Sequence, residues 1–391
     1  MSAPVVCRLE IEPDRQRYAA LLSRTFHSPR ERSELYLAAA GRENLRGVRL
    51  DDEMAGGLAL LPMGQYFGGR SVPMTGVAAV AIEPAARARG AASALMRATL
   101  AELHAAGVAL SALYPATQPV YRRAGYEIAG SQFEVSLALR QIDVRDHELS
   151  LRPSGEADRA GIESLYRRWA AARDGNLDRH AMIWDRVREF RGERMDGYVV
   201  CDGERIEGYI YCVERAGAPF PHSLFIQDVV AVTPAAGRRL LAFMAEHRSM
   251  CETGTFTSGP ADALLTQLAE QAWKMTARTA WMLRLVDVRR ALAARGYPLG
   301  LRGELHLEVR DDVLPQNAGR IVLTVADGVG EVRPGGRGAF RIDVRGLAAL
   351  YSGHFSPAQA QACGYLDADE DEQRVAAAML GGPAPWMRDS F

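Results

Sequence analysis

Val80-Ala81-Ile82-Glu83-Pro84-Ala85-Ala86-Arg87-Ala88-Arg89-Gly90-Ala91-Ala92-Ser93 is the stretch on which the reading of this chain turns. It closes a continuous apolar run from Thr75 to Ile82, as a strand buried on both faces requires. Pro84 ends that run, and Leu95, Thr99, Leu100 and Leu103 then recur at helical spacing to about Ala105. The pattern Arg-x-x-Gly-x-Ala, carried by Arg87, Gly90 and Ala92, therefore lies between a buried strand and a helix. That placement suits a pyrophosphate: successive backbone N–H groups at a helix start, the positive end of the helix dipole, and a glycine where backbone must come close. Arginines nearby add charge-assisted contacts. The edge of the strand at Val80, Ala81 and Ile82 would let an extended, amide-bearing ligand pair as an added strand. The same residues also suit a plain strand-to-helix connection with Gly90 in a tight turn.

Before this stretch, Tyr18 to Arg24 and Glu34 to Ala40 have helical spacing, and Val48 to Leu50, Ala55 to Pro62 and Gln65 to Val72 read as short strand-like runs separated by Asp51-Asp52 and Gly68-Gly69. After it, Val108 to Leu113 is a strand, and Tyr121 sits in the short segment that follows. Past about residue 150 the order recurs. Ile162, Leu165, Tyr166 and Trp169 mark a helix, Tyr198 to Cys201 and Ile206 to Val213 a hairpin, and Ile226 to Val232 a buried strand ending at Thr233-Pro234. This is a degenerate internal duplication. The second copy then reads Ala235-Ala236-Gly237-Arg238-Arg239-Leu240, without the Arg-x-x-Gly pattern, and is expected to be structural and to bind no second ligand of this kind. A third composition begins near Val286, with helices around alternating runs at Gly303 to Arg310, Ile321 to Val325 and Ala339 to Val344.

The chain has 391 residues, beyond the size at which one core keeps growing, so two or three domains are expected. Its 47 basic and 48 acidic side chains leave a net charge of -1, without the bulk attraction a nucleic-acid binder relies on. Five cysteines lack CxxC spacing, and eight histidines lack HxxxH or HExxH spacing, so neither a disulfide framework nor a metal site is implied. No apolar run approaches the roughly 20 residues of a membrane span, and a reducing, cytoplasmic setting is expected.

The loop resembles the pyrophosphate loop of the GNAT acyltransferase superfamily. Val120-Tyr121-Arg122-Arg123-Ala124-Gly125-Tyr126, Ala291-Leu292-Ala293-Ala294-Arg295-Gly296-Tyr297 and a chain ending in phenylalanine resemble the Eis (enhanced intracellular survival) family, over nearly the whole length. The resemblance implies an α+β architecture of tandem GNAT (acyl-CoA N-acyltransferase) domains followed by a sterol-carrier-protein-like α+β domain. The expected divisions are a catalytic GNAT domain over 1–148, a degenerate GNAT-like domain over 149–288 and the sterol-carrier-like domain over 289–391. It implies acetyl-CoA as acyl donor, and a homohexamer. Val80, Ala81 and Ile82 then correspond to the strand that pairs with pantetheine, and Arg87, Ala88, Arg89, Gly90, Ala91, Ala92 and Ser93 to the pyrophosphate loop. Ala116 and Thr117 correspond to the pair near the cofactor after the next strand. Tyr121 corresponds to the general acid, and Phe391 to the residue whose terminal carboxylate is the general base.

Aminolysis of a thioester needs a neutral amine, a stabilised oxyanion and a proton for the leaving thiolate. A tyrosine hydroxyl suits the last role, whereas a terminal carboxylate, with a reference pKa near 3.5, becomes a base only if the tail is docked inside. The expected function is direct acetyl transfer to a primary amine of a small cationic acceptor resembling an aminoglycoside, polyamine or lysine. A lipid or sterol carrier and a non-catalytic coenzyme A sensor are the other readings.

Overall fold

A computed structural model describes residues 3–217 and 221–391, without the side chain of Arg278. It separates into two compact units. The first holds the residues up to Ala129 with Ala280–Pro383 and Phe391, and the second holds Gly130–Thr279 with Ala384–Ser390.

The first unit opens with β1 (Val5–Arg8), α1 (Glu12–Phe26), α2 (Arg30–Ala40), β2 (Leu45–Leu50), β3 (Glu53–Phe67), β4 (Arg70–Ile82), α3 (Ala91–Ala105), β5 (Leu110–Leu113) and α4 (Gln118–Arg122). β1 to β5 are neighbours in sequence order within one sheet. Leu95, Met96 and Leu100 of α3 are fully buried in the cluster that also holds Leu58 and Val77. The run from Gln65 to Val72 divides at the expected separator Gly68-Gly69, and its first part joins Ala55 to Pro62 in the single strand β3. Phe67 pairs with Arg70, and the chain reverses at Gly68-Gly69, whose φ angles are +57° and +83°. Two consecutive positive-φ residues make the primed turn that matches strand twist, and glycine adopts it without a Cβ penalty.

β6 (Glu127–Ala138) carries the chain into the second unit. There follow β7 (Ser150–Pro153), α5 (Arg159–Ala171), β8 (Leu177–Asp178), α6 (Ala181–Arg188), β9 (Glu189–Phe190), β10 (Glu193–Arg194), β11 (Asp196–Asp202), β12 (Arg205–Arg215), β13 (His222–Ala231), α7 (Pro234–Glu246) and β14 (Cys251–Ser258). The order across this sheet is β6-β14-β13-β12-β11-β7. β13–α7–β14 repeats β4–α3–β5, a strand, a helix and a parallel strand. The end of the chain docks in this unit. Trp386 bridges to Ser131, and the Gln132 amide donates to the carbonyls of Met387 and Arg388 at 3.3 and 2.9 Å. Arg179, fully buried, donates to Asp228 at 2.6 Å and to Asp389 at 2.9 Å, while Arg388 donates to Asp228 at 3.1 Å.

β15 (Trp273–Leu285) returns to the first unit and pairs with β5. α8 (Val288–Ala294), β16 (Arg302–Arg310), β17 (Gly319–Ala326), β18 (Val329–Pro334), β19 (Phe340–Asp343), α9 (Val344–Ser352), α10 (Pro357–Ala362), β20 (Leu366–Asp367) and α11 (Glu370–Leu380) complete it, with a sheet ordered β18-β17-β16-β19-β20. No described helix is long and apolar enough to cross a membrane.

Glu127, 2% exposed, ties this last layer to α4. It accepts from Arg122 at 2.7 Å, its own neighbour Ile128 N–H at 3.0 Å, Arg345 at 2.9 Å and the Tyr365 hydroxyl at 2.7 Å. Burial alone would raise its pKa, but these donors outweigh burial and hold it at about 2. The folded pKa is depressed below the unfolded value of about 4.3, so this stabilisation is present above that value and is lost as pH falls toward 2. It amounts to at most about 3 kcal/mol. Denaturant titrations between pH 7 and 3 should show native stability falling in acid more steeply than that of Glu127→Gln, and parallel pH curves would remove Glu127 from this role.

Candidate active site

β4 and β5 run side by side only briefly. Met74 pairs with Leu110, Thr75 with Ser111 and Gly76 with Ala112; β5 then ends at Leu113 while β4 continues to Ile82. The cause of the parting lies in β4. Ala79 and Val80 together face the single residue Leu58 of β3, and Ala79 takes the left-handed conformation at φ +53°. A bulge of this kind bends the strand and increases its local twist. The Tyr18 hydroxyl donates to the Ala79 carbonyl at 2.5 Å and so holds the bulge from behind. Beyond Gly76, the outer edge of β4 has no strand partner among the described residues. Val80 and Ile82 are half-buried there, and Ala81 is buried.

At the far end of β4 the loop enters α3. Gly90 is the N-cap at φ +83°, with no side chain to cap the helix, and the first helical bond runs from Ala94 N–H to Gly90 O at 2.9 Å. The amides of Ala91, Ala92 and Ser93 have no acceptor among the described residues, which leaves a helix start poised for an anion. A Cβ on Gly90 would meet nothing within 4 Å, so the glycine serves the backbone angle and not a tight space. Ala88 is also left-handed, at φ +60°. Of the two loop arginines, Arg89 is engaged with Asp51 at 2.6 Å, and the exposed Arg87 side chain has no partner among the described residues.

Tyr121 lies on the short helix α4, 6% exposed, in the same cluster as Val77 and Ala91, with Val80 and Ile82 packed against it. Burial pushes its pKa up to about 12. Its ring meets that of Tyr126 edge-on, with centroids 6.2 Å apart. Ser111 donates to the Thr75 carbonyl at 2.9 Å and therefore accepts the Tyr126 proton across their 2.8 Å contact. Ala116 and Thr117 are exposed, and Thr117 is the N-cap of α4 without a side-chain bond.

Phe391 reaches the fork itself. Its ring meets Tyr114 edge-on with centroids 5.7 Å apart, and a Cβ built on Gly76 would lie 2.7 Å from its Cε2. Gly76 is the last paired residue before the strands part. The loop, the strand edge, Tyr121 and Phe391 therefore all belong to the first unit. Tyr18, Gly76 and the Ser111–Tyr126 pair escape sequence reasoning. Only Gly76, a glycine inside a buried apolar run, carries a signal there.

Residues 8–129 and 175–285 match two families each described as Acetyltransferase (GNAT) domain, and residues 288–388 match the Sterol carrier protein domain. The structure of a GCN5-related N-acetyltransferase from Anabaena variabilis superposes with a TM-score of 0.95 at 39% identity, over 100% of both chains. N-acetyltransferase Eis of Mycobacterium tuberculosis is 29% identical over 72% of this chain and 71% of its own. An uncharacterized N-acetyltransferase of Streptomyces avermitilis is 28% identical over 83% of each.

Gly76→Ala places a methyl group where the Phe391 ring now lies. The expected outcome is release of Phe391 by a carboxypeptidase at least several-fold faster than from the native chain. An unchanged release rate would mean that the ring does not depend on that contact.

Proposed function

The chain belongs to the GCN5-related N-acetyltransferases of the Eis type, and from that premise we propose that it moves an acetyl group from acetyl-CoA directly to a primary amine of a small cationic acceptor. It is an acyltransferase enzyme with two GNAT domains and a sterol-carrier-like domain. The observation that carries the finer reading is the fork: an unpaired edge of β4 leading to an uncapped helix start, with Tyr121 and Phe391 beside it.

The residues present fit acetyl-CoA. The backbone of Val80 to Ile82 would receive the pantetheine amides as an added strand, and the amides of Ala91 to Ser93 with Arg87 would hold the pyrophosphate. Acetyl-CoA supplies an acyl group activated as a thioester. Tyr121 keeps its proton on Oη through the whole working pH range, because its pKa is about 12, and is the donor to the departing sulfur. The Phe391 carboxylate takes the proton of the attacking amine, its place set by ring contacts with Gly76 and Tyr114. No Cys or Ser stands with a base at recognisable spacing in the sequence, which favours direct transfer over an acyl-enzyme. The second unit is proposed to bind no coenzyme A. Thr233 Oγ1 already accepts the Ala236 amide at 3.3 Å at the start of α7, and Arg388 of the tail donates to the Val229 carbonyl on β13.

The reading is tested by thiol release from acetyl-CoA with aminoglycosides, polyamines and lysine peptides, on protein with a free C-terminus. Turnover with such an amine is expected; acetyl-CoA binding without turnover would leave a sensor instead. Tyr121→Phe should lower kcat about 10²- to 10⁴-fold with acetyl-CoA affinity nearly unchanged. If affinity collapses instead, Tyr121 is packing. Residues added after Phe391 should abolish turnover, and an undiminished rate would take the carboxylate out of the reaction.

A further inference from the structure

The second unit contains a recess of about 570 Å³ at the start of α7, within the size range of small-molecule sites. Four arginines, Arg168, Arg173, Arg205 and Arg388, line it against two carboxylates, Glu207 and Asp262. The carboxylates are already engaged. Glu207 Oε1 takes Arg205 Nε at 2.6 Å, and Asp262 takes the Ser258 hydroxyl at 2.5 Å and the Leu264 amide at 2.9 Å. Arg168 is exposed and has no partner among the described residues, and the one side-chain hydrogen bond of Arg173 there goes to the Trp169 carbonyl.

Two features show what this recess lacks. Arg173 and Arg388 each stand 4.5 Å from the Trp169 ring centroid, so two cations flank one indole. Burial, and then the charge of Arg388, push the Arg173 pKa down, against the opposing charge of Asp262. The lining also carries three buried polar atoms without a hydrogen-bond partner: Arg388 Nε, Glu207 Oε2 and Gln267 Oε1. Glu207 is only 4% exposed. Unsatisfied buried polar groups are uncommon, and three around one recess call for a ligand with matching groups. Arg388 is paired with Asp228 and Arg205 with Glu207, so the anion answers Arg168 and Arg173, phosphate best because it matches the planar fork. Hydroxyl donors answer the two orphaned acceptors.

We propose that this recess binds a small phosphate ester of a polyhydroxylated compound, a sugar phosphate or a mononucleotide, at a site separate from the fork of the first unit. Trp386 to Asp389 and the Thr233 cap take the places that a coenzyme of full length would need, and the recess beside them suits the shorter ligand.

Isothermal titration of the full-length protein with glucose 6-phosphate, AMP and inorganic phosphate tests this, on the native chain, Arg168→Ala and Arg87→Ala. At least one ester should bind once per chain and more tightly than inorganic phosphate. Arg168→Ala should weaken that binding about 10-fold, the loss of a charge-assisted contact, while Arg87→Ala leaves it unchanged. Whichever ester binds tighter identifies the source, and either supports the site. Absence of heat with both esters overturns the proposal. So does affinity lost in Arg87→Ala and kept in Arg168→Ala, which would place the anion at the first-unit loop. Inorganic phosphate binding as tightly as the esters would also overturn it, by removing the part given to the hydroxyl groups.

Discussion

The separation of β4 from β5 after Gly76 is the geometric fact from which the chemistry of the first unit follows. Parallel strands normally continue as partners, because an exposed row of backbone amides and carbonyls is left unsatisfied otherwise. Here a bulge with a left-handed Ala79 turns β4 away, and the Tyr18 hydroxyl fixes the carbonyl that the bulge would leave without a partner. Holding a non-glycine residue in that conformation costs about 1 kcal/mol or more. The strain is located where a free strand edge is useful, beside Val80 and Ile82.

The two duplicated halves show how little separates a ligand site from a structural element. α3 begins at Gly90, which offers no side chain, so its first amides stay available. α7 begins at Thr233, whose hydroxyl accepts the Ala236 amide, and continues with Pro234, which has no amide to give. The topology of strand, helix and parallel strand is shared. The difference in capping chemistry decides which helix start remains open to an anion.

The chain terminus depends on buried charge. Asp228 and Arg179 are fully buried, and Tyr209 and Tyr166 donate to Asp228 and Asp389 at 2.7 and 3.2 Å. Each of these charges alone would be expensive to remove from water, and removing one partner of such a pair typically destabilises by about 3–5 kcal/mol. Because an ion pair has a fixed geometry where an apolar contact does not, the network sets the register of Arg388 and Asp389. A frayed end becomes an ordered one, and Phe391 follows directly on it.

The sequence by itself carried the internal duplication and the strand-to-helix placement of Arg87 to Ser93, because apolar periodicity and a glycine between strand and helix are local properties, while the fold class came from the resemblance to a known family. The docking of the tail that a basic terminal carboxylate requires is met near its end by Trp386 and Met387, which are 5% and 0% exposed. The sequence marked the break at Gly68-Gly69 but divided β3, which runs unbroken from Glu53 to Phe67, between Pro62 and Gln65. Only the tertiary structure decided the bulge at Ala79, the contact of Phe391 with Gly76 across more than 300 residues of chain, and the pairing of Arg179 with Asp228 and Asp389. Those depend on which side chains meet after folding. No local pattern encodes them, since a charge destined for a buried pair and one destined for solvent have the same sequence signature.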